Sequence, residues 1–410
     1  MISQFRYFTI FVHMSDYPIF LLIALLVYVY GLFSKKSGES MITGPMVFVA
    51  VGFAVSYISI DFLKGGIQAP LLKVIAELTL ALILFIDAST INIRTLAKEK
   101  GIPFRLLFIG LPLTMLVGTL LAIPLFPSVG IWALCLMAFM LSPTDAALGK
   151  VVVTSSRIPE KIREAINVES GLNDGVVLPP ILICIAALTE TPGQHTEVNF
   201  WVFFVLKQLI LGPLIGAAVG WLGGRLVDKA SNANWMNSTF QRLASIALAV
   251  MAFTLAEMVH GNGFIATFFA GLFLGTRTPQ VRERIQEFGE AEGVALELFI
   301  FLLFGMILVP IAYPFWTPEI WIYAILSLTV IRMVPVAISL LGAKLSWQSV
   351  GFIGWFGPRG IASILYLILV LIHLGFKGYE QLMSVVVLTI LLSVFLHGLS
   401  ALPLSKIYGK

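Results

Sequence analysis

The segment SPTDAALGK, residues 142–150, follows an unbroken apolar run from Ile131 to Leu141. That run reads as a lipid-spanning helix. It meets a proline, two hydroxyls and a carboxylate before it can cross a bilayer core of about 30 Å. Proline removes a backbone donor and clashes with the preceding turn. An isolated charge at the bilayer centre costs from about 3 to over 10 kcal/mol, depending on the method. Irregular backbone at that depth is tolerated only against protein or a water-filled cavity.

The surrounding chain is as oily as this reading requires. Hydrophobic residues make up 59% of the 410 residues and charged residues 12%, with a mean hydropathy of +0.97. Soluble domains carry about a quarter charged residues. Thirteen apolar stretches are read as membrane spans: 17–34, 42–60, 69–88, 103–126, 129–150, 161–189, 200–226, 239–259, 261–276, 290–310, 319–341, 348–373 and 381–404. A span takes about 20 helical residues, so the ninth, short and glycine-rich, fits least well. The expected fold is all-α and polytopic, a single transmembrane domain over residues 1–410 with no soluble domain.

Basic residues set the orientation, because short cytoplasmic loops collect Lys and Arg. Lys35 and Lys36 follow span 1, and Arg94, Lys98, Lys100 and Arg105 follow span 3. Lys150, Arg157, Lys161 and Arg163 follow span 5; Arg225, Lys229 and Arg242 follow span 7. Arg277, Arg282 and Arg284 follow span 9, Lys344 follows span 11, and Lys406 and Lys410 follow span 13. The loops 189–199 and 310–318 contain neither residue. The N-terminus is expected outside and the C-terminus in the cytoplasm. The net charge of +4 expresses this asymmetry and implies no nucleic-acid partner. Cys135 and Cys184 lie within spans and read as small packing residues. No cleavable signal pattern is read, and residues 1–16 form a short leader without an assigned role.

The opening segment has a counterpart, GWFGPRGIAS, around Gly357 and Pro358 in span 12. Spans 5 and 12 run in opposite directions. A paired break in two such helices is the signature of an inverted-repeat transporter. The repeats are expected over about 17–189 (spans 1–6) and 239–404 (spans 8–13), with span 7, about 200–226, connecting them. The two discontinuous helices, 5 and 12, would cross at mid-membrane.

Acids gather at the same depth. NVESGLNDGVVLPP, residues 167–180, opens with Glu169 and Asn173 at i, i+4 and Ser170 and Asp174 at i, i+4, on adjacent faces of one helix. Asp174 stands about 20 Å of helical rise from the inner end of span 6. Pro179 and Pro180 remove the donors that would serve the carbonyls of Gly175 and Val176. Asp145, Glu169 and Asp174 face two intramembrane cations, Arg332 (VIRMVP) and Arg359 (GPRG). Three acids against two bases leaves room for a small cation or protons. Oxygen ligands suit an alkali cation, and no His/Cys cluster for zinc is present.

SPTDA, then ESGLNDG, then an arginine-bearing helix and a W-x-G-x-RG helix resemble the monovalent cation:proton antiporters. The branch they resemble is the NhaP type with the Asn-Asp motif, which includes the animal Na+/H+ exchangers. The resemblance covers nearly the whole chain in length, motif order and helix number. It implies a homodimer with a dimerisation panel and a mobile six-helix core, working as an elevator in the plasma (inner) membrane, and no enzyme activity or cofactor. It implies that Asp174 is the central ion-binding and proton-carrying carboxylate. Na+ would be held by Asp145, Asp174, Ser170 and the Thr144 carbonyl. Asn173 would stand where the electrogenic branch has a second aspartate, and Glu169 would be salt-bridged to Arg332. GPRG departs from the commoner GLRG at Pro358, which bears on the shape of the span-12 break.

The mechanism expected from these residues is competition. A buried carboxylate favours a proton, and a coordinated cation favours the ionised form. With Glu169 neutralised by Arg332, Asp145 and Asp174 carry two negative charges, and one Na+ or one H+ leaves the same net charge. That predicts one-for-one, electroneutral Na+ (or Li+) exchange for H+. A K+/H+ exchanger of the same fold uses the same ligands. An intramembrane enzyme would need a nucleophile or metal that no motif supplies, and a passive channel leaves the paired breaks without purpose. Asp87 and Glu77 are read as solvated interfacial acids and Glu257 as a structural hydrogen-bonding group. Glu297 is a deeper residue of open role. Lys207 is read as snorkelling outward, and His13, His195, His260 and His373 as histidines at the outer face.

Overall fold

An apolar chain in lipid must satisfy its own backbone donors and acceptors, and the α-helix does so within one segment. The computed structural model follows that rule. It describes residues 17–38, 40–58, 69–91, 101–145, 148, 152–153, 155–189, 198–274 and 279–408. Residues 1–16, Arg94, Lys98, Lys100, Lys150, His195, Arg277 and Lys410 lie outside the described residues, as do the side chains of Lys207 and Arg282.

Helices α1 (Tyr17–Gly38), α2 (Gly44–Ile58), α3 (Ala69–Thr90), α4 (Ile102–Leu125) and α5 (Ile131–Met140) come first. Then follow α6 (Glu160–Thr189), α7 (Val198–Asn232), α8 (Ser238–Met258), α9 (Gly263–Leu272) and α10 (Pro279–Leu303). The last four are α11 (Pro318–Ser339), α12 (Trp347–Trp355), α13 (Ile361–Leu374) and α14 (Glu380–Tyr408). Among the described residues there are no strands. Seven helices there are long and apolar enough to cross a membrane, and four further apolar helices are shorter.

Several elements differ from the sequence expectation. The described α9 has 10 residues, about 15 Å by helical rise, half of what a span needs. It is capped by Asn262, whose Oδ1 accepts from Ile265 N–H at 2.9 Å, and it is enclosed by α3, α7 and α8. Helix α10 begins earlier than expected, at Pro279, and continues through a π-helical turn, Phe304–Leu308. A second π turn, Leu106–Gly110, lies within α4. Each precedes a proline, Pro310 and Pro112, which offers no N–H to the carbonyl four residues back; Val309 and Leu111 donate five residues back instead. In α11 the backbone leaves helical geometry at Thr329, with ψ −93°.

Close helix contacts rest on small residues. Gly212, Gly216 and Gly220 recur every fourth residue of α7 and face α9. A Cβ at Gly216 or Gly220 would fall on the carbonyl of Ala266 or Ala270, and one at Gly271 of α9 would fall on the carbonyl of Phe85 in α3. Small-xxx-small patterns let membrane helices approach to backbone contact. Replacing Gly220 by Val should therefore cost about 1–3 kcal/mol through overpacking. Thermal unfolding in detergent measures this against Gly31→Val in α1, where no atom lies within 4 Å of an added Cβ and no loss is expected.

Candidate functional site

Two chain breaks meet in the interior. Helix α5 ends at Met140 and the chain runs non-helically from Leu141 to Asp145. Helix α12 ends at Trp355, Phe356–Gly360 are non-helical, and α13 starts at Ile361. Each break leaves unpaired carbonyls behind it and unpaired N–H groups ahead. Asp145 N–H donates to the Pro358 carbonyl at 2.8 Å, and Ile361 N–H donates to Asp145 Oδ2 at 2.8 Å. The Asp145 carboxylate therefore sits on the N-terminus of α13, where free N–H groups and the helix dipole favour negative charge. Gly360 makes room for it: a Cβ there would fall on the carboxylate. Ser363 Oγ serves the last carbonyl of α5, Met140 O, at 2.8 Å.

Helix α6 holds the α5 break from the other side. Ser170 Oγ donates to the Thr144 carbonyl at 2.8 Å. Asn173 Nδ2 donates to Thr144 Oγ1 at 2.7 Å and reaches its carbonyl at 3.4 Å. Thr144, Asp145, Ser170, Asn173 and Asp174 are all buried. Two of the ligands expected for Na+, the Ser170 hydroxyl and the Thr144 carbonyl, are thus bonded to each other. The backbone carbonyl of Asp174 receives the Tyr366 hydroxyl of α13 at 2.8 Å. Asp174 Oδ1 and Asn173 Oδ1 are buried acceptors without a donor.

The charged framework is unequal. Arg332 donates to Glu169 through Nη1 at 2.6 Å and Nη2 at 2.8 Å, both side chains being 1% exposed. This bidentate geometry is the strongest form of carboxylate recognition. Arg359 is also fully enclosed, but its Nη1 donates only to the Gly357 carbonyl at 2.9 Å. Its Nε and Nη2, and Nε of Arg332, have no acceptor.

Asp87 corrects the sequence reading. Instead of a solvated interfacial acid, it is half-buried in α3, and its carboxylate is electrostatically coupled to both Asp145 and Asp174. Position along a span gives depth but not neighbours. The available signal was an acid closing a wholly apolar run, LILFID, with no basic residue within a helical turn. Glu257 accepts from Gly263 N–H at 2.8 Å, at the start of α9. Glu77 and Glu297 are half-buried, and His260 and His373 are exposed.

Residues 21–406 match the family described as "Sodium/hydrogen exchanger, transmembrane". The chain is 25% identical over 386 residues to a K(+)/H(+) antiporter NhaP2 of Shewanella sp. (strain ANA-3), covering 93% of this chain and 65% of that protein. It is 24% identical over 319 residues to a Na(+)/H(+) antiporter of Schizosaccharomyces pombe, covering 70% and 67%. The chain thus spans 65% of the length of the Shewanella relative. The fold matches the sodium proton antiporter MjNhaP1 from Methanocaldococcus jannaschii, in its structure at pH 8, with a TM-score of 0.76 at 17% identity over 97% of this chain and 100% of that one.

The ion pair gives a prediction. Removing one partner of a buried pair typically costs about 3–5 kcal/mol because the other charge is left uncompensated. Glu169→Gln and Arg332→Ala should each lower the melting temperature in detergent, and the double variant should recover part of the loss. Simple addition of the two losses would mean that the pair contributes nothing as a pair.

Proposed function

This chain belongs to the transmembrane sodium/hydrogen exchanger family, and on that footing we propose that it is a secondary antiporter exchanging Na+ (or Li+) for H+. It is an integral membrane protein of a transporter family, not of an enzyme family. In this reading Asp174 and Asp145 bind cation and proton in turn, and Ser170 and the Thr144 carbonyl complete the ligand set. Asn173 holds the α5 break, and the Glu169–Arg332 pair fixes α6 against α11. Asp87 adds a third carboxylate to the same field. The observation that carries the reading is a buried Asp174 oxygen without a donor, electrostatically coupled to an Asp145 carboxylate seated on a helix N-terminus. Unpaired buried acceptors are rare in folded proteins, and either a proton or an alkali cation would satisfy this one.

The reading extends to the whole protein. It works as a homodimer with a mobile core, moving the site by an elevator motion between inverted repeats of about 17–189 and 239–404. It lies in the plasma membrane with its N-terminus outside and C-terminus inside, and serves pH homeostasis. A second reading, K+/H+ exchange, is favoured by the name of the Shewanella relative, a K(+)/H(+) antiporter, whereas that of the Schizosaccharomyces pombe relative, a Na(+)/H(+) antiporter, favours Na+.

Dequenching of a pH-sensitive dye in everted vesicles, on addition of Na+, Li+ or K+, decides between them. Asp174→Asn, which keeps the shape and removes the titrating group, should abolish the signal in a folded protein. Near-normal cation-driven proton release by that variant would defeat the assignment.

Competition for one set of oxygens also predicts the pH dependence. Where the binding carboxylate is mostly protonated, apparent cation affinity should weaken by about tenfold per pH unit, and it should level off at alkaline pH. One-for-one exchange should be insensitive to imposed voltage in proteoliposomes. A flat affinity across both limbs, or a rate that follows voltage, would contradict the shared site.

A further inference from the structure

His397 carries no local motif in the sequence, where it is one histidine within the long apolar run of the last span. In the structure it is 1% exposed in α14, its ring tilted against the Trp355 indole with 4.9 Å between centroids. Both ring nitrogens are engaged. Nε2 lies 2.9 Å from the Trp355 carbonyl oxygen, which can only accept, so Nε2 carries a hydrogen. Nδ1 lies 3.2 Å from Ser393 Oγ and 3.0 Å from the Ser393 carbonyl. Ser393 Oγ accepts from Arg359 N–H at 2.6 Å, which leaves its own hydrogen for Nδ1. Of the two neutral tautomers, Nε2–H is the one that gives each nitrogen a partner of the right sense: Nδ1 accepts from the Ser393 hydroxyl beside the Ser393 carbonyl, and Nε2–H donates to the Trp355 carbonyl.

The hydrogen bonds form one continuous run. It passes from Arg359 N–H to Ser393 Oγ–H to His397 Nδ1, and from Nε2–H to the Trp355 carbonyl. Trp355 is the last residue of α12, and Arg359 lies just before α13. The run therefore joins the two sides of the break, and Asp145 holds the same break through Pro358 and Ile361. The charged groups whose field reaches the ring are Arg359, within the break, and Arg332 of α11.

We propose that His397 is a positioning residue: as a neutral bridge across the α12–α13 break, it fixes where Ile361 N–H, and with it the Asp145 carboxylate, stands. This rests on the role of Asp145 as a cation ligand proposed above. His397→Phe keeps a ring against Trp355 but removes both hydrogen bonds. His397→Gln can restore them, with its amide N–H toward Trp355 O and its amide oxygen toward the Ser393 hydroxyl.

The test uses the full chain, in detergent for thermal stabilisation by NaCl or KCl against choline chloride, and in proteoliposomes for exchange kinetics. His397→Phe should raise the cation KM about tenfold, in line with loss of a buried hydrogen bond, while kcat at saturating cation is largely kept. The salt needed for a given thermal stabilisation should rise in parallel. His397→Gln should return KM toward the unmodified value and leave the pH profile unchanged. If His397→Phe does not fold, Ser393→Ala interrupts the same run and should raise KM in the same way. A folded His397→Phe or Ser393→Ala protein with unaltered KM would overturn the proposal, as would failure of Gln to restore it or a shifted pH profile in the Gln variant. Asp145→Asn measured in parallel separates the two ideas: if it still exchanges and is still stabilised by cation, the site reading has failed, and if it is dead while His397→Phe has an unaltered KM, only the positioning role has.

Discussion

A helix that stops inside hydrocarbon leaves carbonyls and N–H groups that no water can reach, and each unpaired group costs several kcal/mol. Here two such stops are set against each other, so that the loose ends of one serve the other. Asp145 is the hinge of the arrangement, because its N–H and its carboxylate both bond to the second break. Ser170, Asn173 and Ser363 complete the pairing around the first break. The hydrogen bonds that stabilise the fold at its centre are thus largely made by the residues that form the candidate site. Changes there act on architecture and chemistry together.

Around the crossing the polar atoms left over are sorted by kind. Among the described residues there, the unpaired acceptors are Asn173 Oδ1 and Asp174 Oδ1 of α6. The unpaired donors include those of Arg332 in α11 and Arg359 between α12 and α13. The crossing is therefore acceptor-rich on one side and donor-rich on the other. Glu169 and Arg332 form a neutral unit within that polarity. Arg359 has a carbonyl and no carboxylate as its partner, so it places a positive charge beside the break without cancelling any of Asp87, Asp145 or Asp174.

The parts of this that could be read from sequence are those with strong local chemistry. Pro143 and Pro358 mark the breaks, and the acids of span 6 declare themselves by standing in an apolar helix. That the two breaks cross was expected from their pairing in an inverted repeat, but their hydrogen bonds to each other were not legible, since local spacing says nothing about contact between segments about 200 residues apart. Asp87 was misread because depth along a helix does not report which neighbour it faces. The ninth span already fitted least well by its length and glycine content, but how far short of a full span α9 falls was not legible, because glycine and phenylalanine suit a full span as well as a half-length plug. The π turns of α4 and α10 had a local cause in Pro112 and Pro310, but a single proline predicts a disturbance without its form.

The glycine contacts of α7, α9 and α3 have a mechanical meaning. Between most packed helices a layer of side chains can change rotamer and absorb a small displacement. At Gly216, Gly220 and Gly271 that layer is missing, and backbone lies directly on backbone. At those points a displacement of α7 meets the backbone of α9, and one of α9 meets the backbone of α3, with no rotamer change to absorb it; α3 carries Asp87.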